Sequence, residues 1–119
     1  MNTLSCILTI AAQVIFAKGD YGYDTFRIPA IVQAANGDLI AFAEARRNGA
    51  GDTGDIDLVM RRSSDNGENW GGMCVIWDDA ENVCGNPAPV LVAGSSRLIL
   101  LLTWNDGRDS EKAIHGRIS

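Results

Sequence analysis

Short apolar runs, broken at close intervals by polar and glycine-bearing corners, extend along the whole of this chain. Gln13 to Ala17, Arg27 to Gln33, Leu39 to Glu44, Ile56 to Arg62, Gly72 to Trp77, Val90 to Ala93 and Leu98 to Trp104 are rich in β-branched and other apolar residues. Each is of strand length rather than helix length. The corners between them carry turn chemistry. Ala34-Ala35-Asn36-Gly37-Asp38 contains an Asn-Gly pair, which supplies the two positive φ angles of a tight hairpin. Gly94-Ser95-Ser96-Arg97 turns the chain into Leu98 to Trp104. Asn86-Pro87-Ala88-Pro89 reads as an elbow before Val90, since proline cannot donate to a strand ladder. No segment has the periodicity of an amphipathic helix, and His115-Gly116-Arg117-Ile118-Ser119 reads as another strand beginning. The pattern predicts an antiparallel all-β fold, either a sandwich or propeller blades. A four-stranded blade would be complete near Trp77, with a second half built by the end of the chain.

The sharpest local signal follows the third internal run. Residues 63 to 70, Ser-Ser-Asp-Asn-Gly-Glu-Asn-Trp, fit the pattern S-x-D-x-G-x-x-W. Gly67 can take the positive φ of a tight turn, and Asp65 can accept hydrogen bonds from the backbone N–H groups of that turn. Trp70 offers a large apolar plate to pack over the corner.

Composition narrows the function classes. The chain has 119 residues, is 46% apolar, and carries a net charge of −5. It lacks the basic face of a nucleic-acid binder. Cys6, Cys74 and Cys84 do not have metal-type spacing, and free thiols are preferred to a Cys74–Cys84 pair. Asp52, Asp55 and Asp57 miss the calcium-loop pattern, so no metal is expected. The glycine-rich stretch Gly49 to Gly54 lacks the Lys-Ser/Thr ending of a phosphate loop. Residues 1–12 have an apolar run but no preceding Lys or Arg. They read as an extra strand or a truncated leader rather than a working signal peptide, with residues 13–119 forming the remaining unit. The compartment stays open, a secreted or periplasmic location included, and no run reaches membrane-span length.

Candidate chemistry lies between Tyr23 and Asp57. Phe26-Arg27-Ile28-Pro29 places an arginine at the head of a strand, where propellers and barrels carry their sites. Glu44-Ala45-Arg46-Arg47 follows; its adjacent arginines should point to opposite faces, with Arg47 left to pair with a carboxylate or face solvent. Gly51-Asp52-Thr53-Gly54 then puts an aspartate in a mobile loop. Trp77 and Trp104 are expected in the core or between blades, and His115 exposed and uninvolved.

Phe-Arg-Ile-Pro, Ala-Arg-Arg, an aspartate in a glycine-rich loop, and Ser-x-Asp-x-Gly-x-x-Trp stand in the order of the opening of the bacterial- and animal-type exo-α-sialidases (neuraminidases). The chain resembles that family over about residues 14 to 112. The resemblance implies a fragment of about one and a half blades from a six-bladed β-propeller, with Ser63, Asp65, Gly67 and Trp70 as its structural Asp box. It implies a retaining exo-α-sialidase acting on terminal sialic acid of glycoproteins, glycolipids or oligosaccharides, with no cofactor. Arg27 then matches an arginine that grips the sialic acid carboxylate, and Arg46 the arginine near the sugar O4 hydroxyl. Asp52 matches the acid/base carboxyl, while Asn86 and Glu111 match pocket residues. The family's tyrosine nucleophile, its glutamate partner and two further arginines have no match here; Tyr21 and Tyr23 do not fit the nucleophile. The sequence is therefore expected to be the first quarter to third of such an enzyme. A non-catalytic Asp-box propeller binding glycans or proteins, and a trans-sialidase, are the alternatives. The first has no need of Arg27, Arg46 and Asp52 together.

Overall fold

The computed structural model describes residues 11–118, so almost all of the segment 1–12 lies outside it. Six strands and one helix follow in order: β1 (Thr25–Gln33), β2 (Leu39–Arg46), β3 (Ile56–Ser63), β4 (Cys74–Trp77), β5 (Val83–Leu91), β6 (Leu98–Asn105) and α1 (Glu111–Ile118). β1 to β4 form an antiparallel meander, the first blade. β5 and β6 form an antiparallel hairpin joined to it by a single parallel bridge, Ile56 to Val83. The sheet order is β1-β2-β3-β5-β6 with β4 on β3, and the sheet is open rather than closed into a ring. This is the expected blade and a half.

The two leading hairpins repeat one irregularity. In β1 the register against β2 slips by one residue between Arg27 and Ala30; in β5 it slips against β6 between Gly85 and Ala88. Each slip contains a residue at positive φ followed by proline and alanine: Ile28 at 52°, then Pro29 and Ala30, and Asn86 at 50°, then Pro87 and Ala88. A bulge with proline in it needs no ladder N–H at that point. It bends both strands where they approach the same end of the molecule.

β2 is buried from Ala41 through Arg46 because both of its faces are covered. Successive residues point to opposite sides. Ala43 and Ala45 join Tyr23 and Val59 in a core cluster, against which Phe16, Phe26 and Met73 pack. Glu44 and Arg46 face the other way, where β5 crosses β1 and β2.

Three sequence expectations change. Gln13 to Ala17 is not a strand. It is held by side chains: Arg61 donates to the Ile15 carbonyl at 2.6 Å, and Gln13 accepts from the Trp70 indole at 3.3 Å. β5 begins at Val83 rather than Val90, with both prolines inside it. Pro87 sits in the bulge, and among the described residues the strand's second edge carries no ladder beyond Val83 for Pro89 to interrupt. The closing segment is the helix α1, not a strand. Ser110 caps it, its hydroxyl oxygen accepting from the Ala113 N–H at 3.2 Å. Trp104, expected in the core or between blades, is half exposed and donates to Asp79 at 2.7 Å.

The Ser63–Trp70 turn closes the end of the blade remote from Arg46. Ser63 Oγ accepts from the Gly67 N–H at 2.8 Å, and Asp65 Oδ1 accepts from the Asn69 N–H at 2.8 Å and from the Ser63 hydroxyl at 2.8 Å. These donors, the Asn69 N–H foremost, hold the Asp65 carboxyl below its ordinary range. Asn66 and Gly67 both have positive φ.

Candidate active site

Arg27, Arg46 and Asp52 meet at one end of the blade, where β1 enters its bulge and β2 ends. Asp52 Oδ1 lies 2.7 Å from Arg46 Nη1 and 3.2 Å from Arg27 Nη1. One exposed carboxylate is thus shared by two guanidiniums. The hydrogen bond and charge of Arg46, with a further contribution from Arg27, hold the Asp52 carboxyl below its ordinary range.

Arg46 is the organising residue. Its Nη1 also donates to the carbonyls of Ala50 and Gly51, both at 2.7 Å, so its side chain shapes the loop that carries Asp52. Arg27 donates to the same Ala50 carbonyl at 3.1 Å. Gly49 and Gly54, at φ of 121° and 96°, take the backbone through the turns of this loop. The Gly54 N–H donates to Gly107 at 2.7 Å, so the loop is also pinned from beyond β6.

Beneath Arg46 lies Glu44, which sequence reasoning passed over. Glu44 Oε2 accepts from Arg46 Nη2 at 2.5 Å and from Nε at 3.1 Å, with both side chains almost fully buried. Its other oxygen, Oε1, accepts the Asn86 N–H at 2.9 Å. A Cβ on Gly85 would collide with that oxygen, so any larger residue there would force Glu44 to shift. The signal was present in Glu44-Ala45-Arg46, because alternate strand residues share a face.

Asn86 and Glu111 line the same cavity of about 390 Å³ as Arg27, Arg46 and Asp52. Asn86 directs its side-chain amide to Thr103 at 2.8 Å. Glu111 opens α1, and His115, one turn on at 3.7 Å, is exposed as expected and stands among the residues that line the same cavity.

Arg47 points to the opposite face, as its adjacency to Arg46 requires. It lies over the Tyr23 ring at 4.4 Å, and contacts Asp55 at 3.2 Å and Asp57 at 2.9 Å. The Tyr23 hydroxyl donates to Asp57 at 2.6 Å. Burial foremost, with the charges of Asp78 and Asp55, raises the Asp57 carboxyl above its ordinary range. Burial and Asp57 likewise raise the Tyr23 hydroxyl. Tyr23 is locked in this core network, away from Asp52. Cys74 and Cys84 are free thiols, the first exposed and the second buried.

No family model matches the chain. Among curated proteins it is 38% identical over 96 residues to an exo-alpha-sialidase of Arthroderma benhamiae, covering 76% of this chain and 23% of that protein. It is 35% identical over 96 residues to an exo-alpha-sialidase of Aspergillus fumigatus, with the same coverage of each. A sialidase of Paraclostridium sordellii is 32% identical over 97 residues, covering 76% of this chain and 24% of that protein. Among solved structures, a Hadza microbial sialidase superposes with a TM-score of 0.68 at 26% identity, covering 76% of this chain and 20% of that one. The chain therefore spans about a quarter of the length of the curated relatives it matches. By sequence and by fold the chain matches a part of the sialidases, a blade and a half of an all-β propeller.

Proposed function

We propose that this chain supplies the anion-gripping and acid/base part of a retaining exo-α-sialidase, which removes terminal sialic acid from glycoproteins, glycolipids or oligosaccharides. The observation that carries this reading is one carboxylate, Asp52, held between Arg27 and Arg46 above a cavity. Two guanidiniums that capture a loop carboxylate are equally suited to a ligand carboxylate, which they meet with planar, charged donors.

In this reading Arg27 takes the sialic acid carboxylate and Arg46, braced by Glu44, stands near the sugar O4 hydroxyl. The incoming carboxylate competes with Asp52 for Arg27. Freed of part of its positive surroundings, Asp52 becomes a better proton carrier, able to protonate the leaving glycosidic oxygen and later to activate water. The nucleophile is a tyrosine outside these residues, since a carboxylate nucleophile would be repelled by the substrate's own carboxylate. Sialidases with a tyrosine nucleophile are a known exception to the two-carboxylate scheme. Asn86 and Glu111 complete the pocket wall.

The test is Arg27→Ala and Arg27→Lys in the complete protein, assayed by steady-state kinetics on a fluorogenic sialoside. Loss of a bidentate charge-assisted contact of about 1.5–3 kcal/mol corresponds to a fall in kcat/KM of roughly 10- to 150-fold, with poor rescue by lysine. Near-normal activity in a folded Arg27→Ala protein removes the carboxylate-gripping role.

A further inference from the structure

Three Asn-Gly pairs stand at corners of this chain: Asn36–Gly37, Asn48–Gly49 and Asn66–Gly67. Asparagine is thermally labile, and most so before glycine. The glycine nitrogen can lose its proton and attack the asparagine side-chain carbonyl carbon, because no Cβ hinders the approach. The attack forms a C–N bond and expels ammonia, leaving a five-membered succinimide ring. Water then breaks one of the ring's C–N bonds, which yields aspartate or isoaspartate. The first step needs a free glycine nitrogen and a side chain free to swing towards it.

The fold ties two of the three pairs. The Gly37 N–H donates to the Ala34 carbonyl at 2.9 Å, and Asn36 Oδ1 accepts the Asp38 N–H at 3.0 Å. The Gly67 N–H donates to Ser63 Oγ at 2.8 Å, inside the network of the Ser63–Trp70 turn. Asn48 and Gly49 differ. Among the described residues neither the Asn48 side chain nor the Gly49 N–H makes a hydrogen bond, and Asn48 is exposed. The loop is anchored on either side of them instead. The Arg47 N–H donates to the Asp55 carbonyl at 3.2 Å, and Arg46 holds the Ala50 and Gly51 carbonyls at 2.7 Å.

We propose that Asn48 is a site of spontaneous deamidation, through attack of the Gly49 nitrogen, within the loop that carries Asp52. The reaction turns a neutral side chain into a carboxylate next to Arg47 in the chain and two residues from Arg46, which already holds Asp52. The isoaspartate product also takes its own Cβ into the main chain, lengthening a loop whose carbonyls Arg46 grips. This site is independent of the sialidase reading, and its test does not use activity.

The experiment incubates the complete protein in mildly alkaline buffer and follows the three Asn-Gly peptides by proteolytic mapping and mass spectrometry. Conversion reads out as the mass gain of an amide-to-acid change, with aspartate and isoaspartate peptides separating on chromatography. One protein hydrogen bond that must open first slows the attack by roughly two- to twelvefold. In the native protein the Asn48 peptide should lead those of Asn36 and Asn66 by that factor, and in denaturant the three rates should converge. Asn48→Gln would have to close a six-membered ring, so its peptide should stay unchanged while the other two convert as before. Two results overturn the proposal: a native Asn48 peptide that converts no faster than the other two, or a lead that persists undiminished in denaturant. The first would mean that the loop holds Asn48 away from the Gly49 nitrogen. The second would assign the lead to neighbours in sequence rather than to the fold.

Discussion

At Asp52 a solvent-exposed carboxyl is held ionised by two arginines, the reverse of what a general acid needs in the free state. If it serves as the acid/base group, Asp52→Asn should slow natural sialosides by ~10²–10⁴-fold, and substrates with good leaving groups less in the glycosylation step. Equal losses on both, with deglycosylation shown not to limit, would leave Asp52 a structural role only. Glu44 is the less visible partner. Glu44→Ala removes one member of a buried pair and strands Arg46, so a loss of about 3–5 kcal/mol is expected in chemical denaturation. Cys84 makes a third point. Burial pushes its thiol up to about 11, while Cys74 stays exposed. A raised thiol pKa means that folding favours the protonated form. That contribution is fully present below the unfolded thiol's pKa and is lost as pH climbs toward 11. Alkylation near pH 8, read by peptide mass spectrometry, should label native Cys74 and spare Cys84 until the protein is unfolded. Arg27, Arg46 and Asp52 were legible in the sequence because their motifs stand in order. Glu44 was not singled out because its importance depends on β5, which lies about 40 residues on and passes directly over it.

At the scale of elements, the sequence was clear where a strand alternates between two tight corners. β2 and β3 fall within two residues of their apolar runs, and the Asn36–Gly37 corner joins β1 to β2. It was opaque where side chains replace ladders. Gln13 to Ala17 has strand composition but finds its partners in Arg61 and Trp70. The prolines of β5 read as an elbow because proline inside a strand is tolerated only at a bulge or open edge, which a linear reading does not display. The α1 helix carries its own signal in Ser110 followed by Glu111, Lys112 and Ala113, a cap and good helix formers, but Gly116 broke the pattern. The repeated bulge gives a direct test of packing between the hairpins. Gly85→Ala should cost about 1–3 kcal/mol by driving a methyl into Glu44, whereas Gly51→Ala, which meets nothing within 4 Å, should stay within roughly 0.5 kcal/mol. Equal effects would mean that β5 has room above Glu44.

Over the whole molecule, the candidate site straddles the two hairpins, and much apolar surface is left open. Ile31 and Leu101 are about 60% exposed, and Val14, Phe16, Phe26 and Pro29 line an apolar hollow of about 470 Å³ on the outer side of the first blade. Propeller blades are stabilised largely by their neighbours, and uncovered faces and edges associate. The 119-residue polypeptide expressed by itself should therefore self-associate on size-exclusion chromatography, and it should show no sialoside turnover, because the proposed nucleophile lies outside it. A monomer with measurable turnover would overturn both statements. The Asn86 amide offers a further use for the seam between the hairpins. It is a β5 backbone proton bound to a buried β2 carboxylate, so its exchange with solvent should be slowed for as long as the second hairpin stays docked on the first. In the complete protein, deuterium uptake at that single amide would act as a clock for hairpin undocking. It would count the openings that strip the second hairpin from Glu44 and untie Gly54 from Gly107 while the Glu44–Arg46 pair on β2 stays intact.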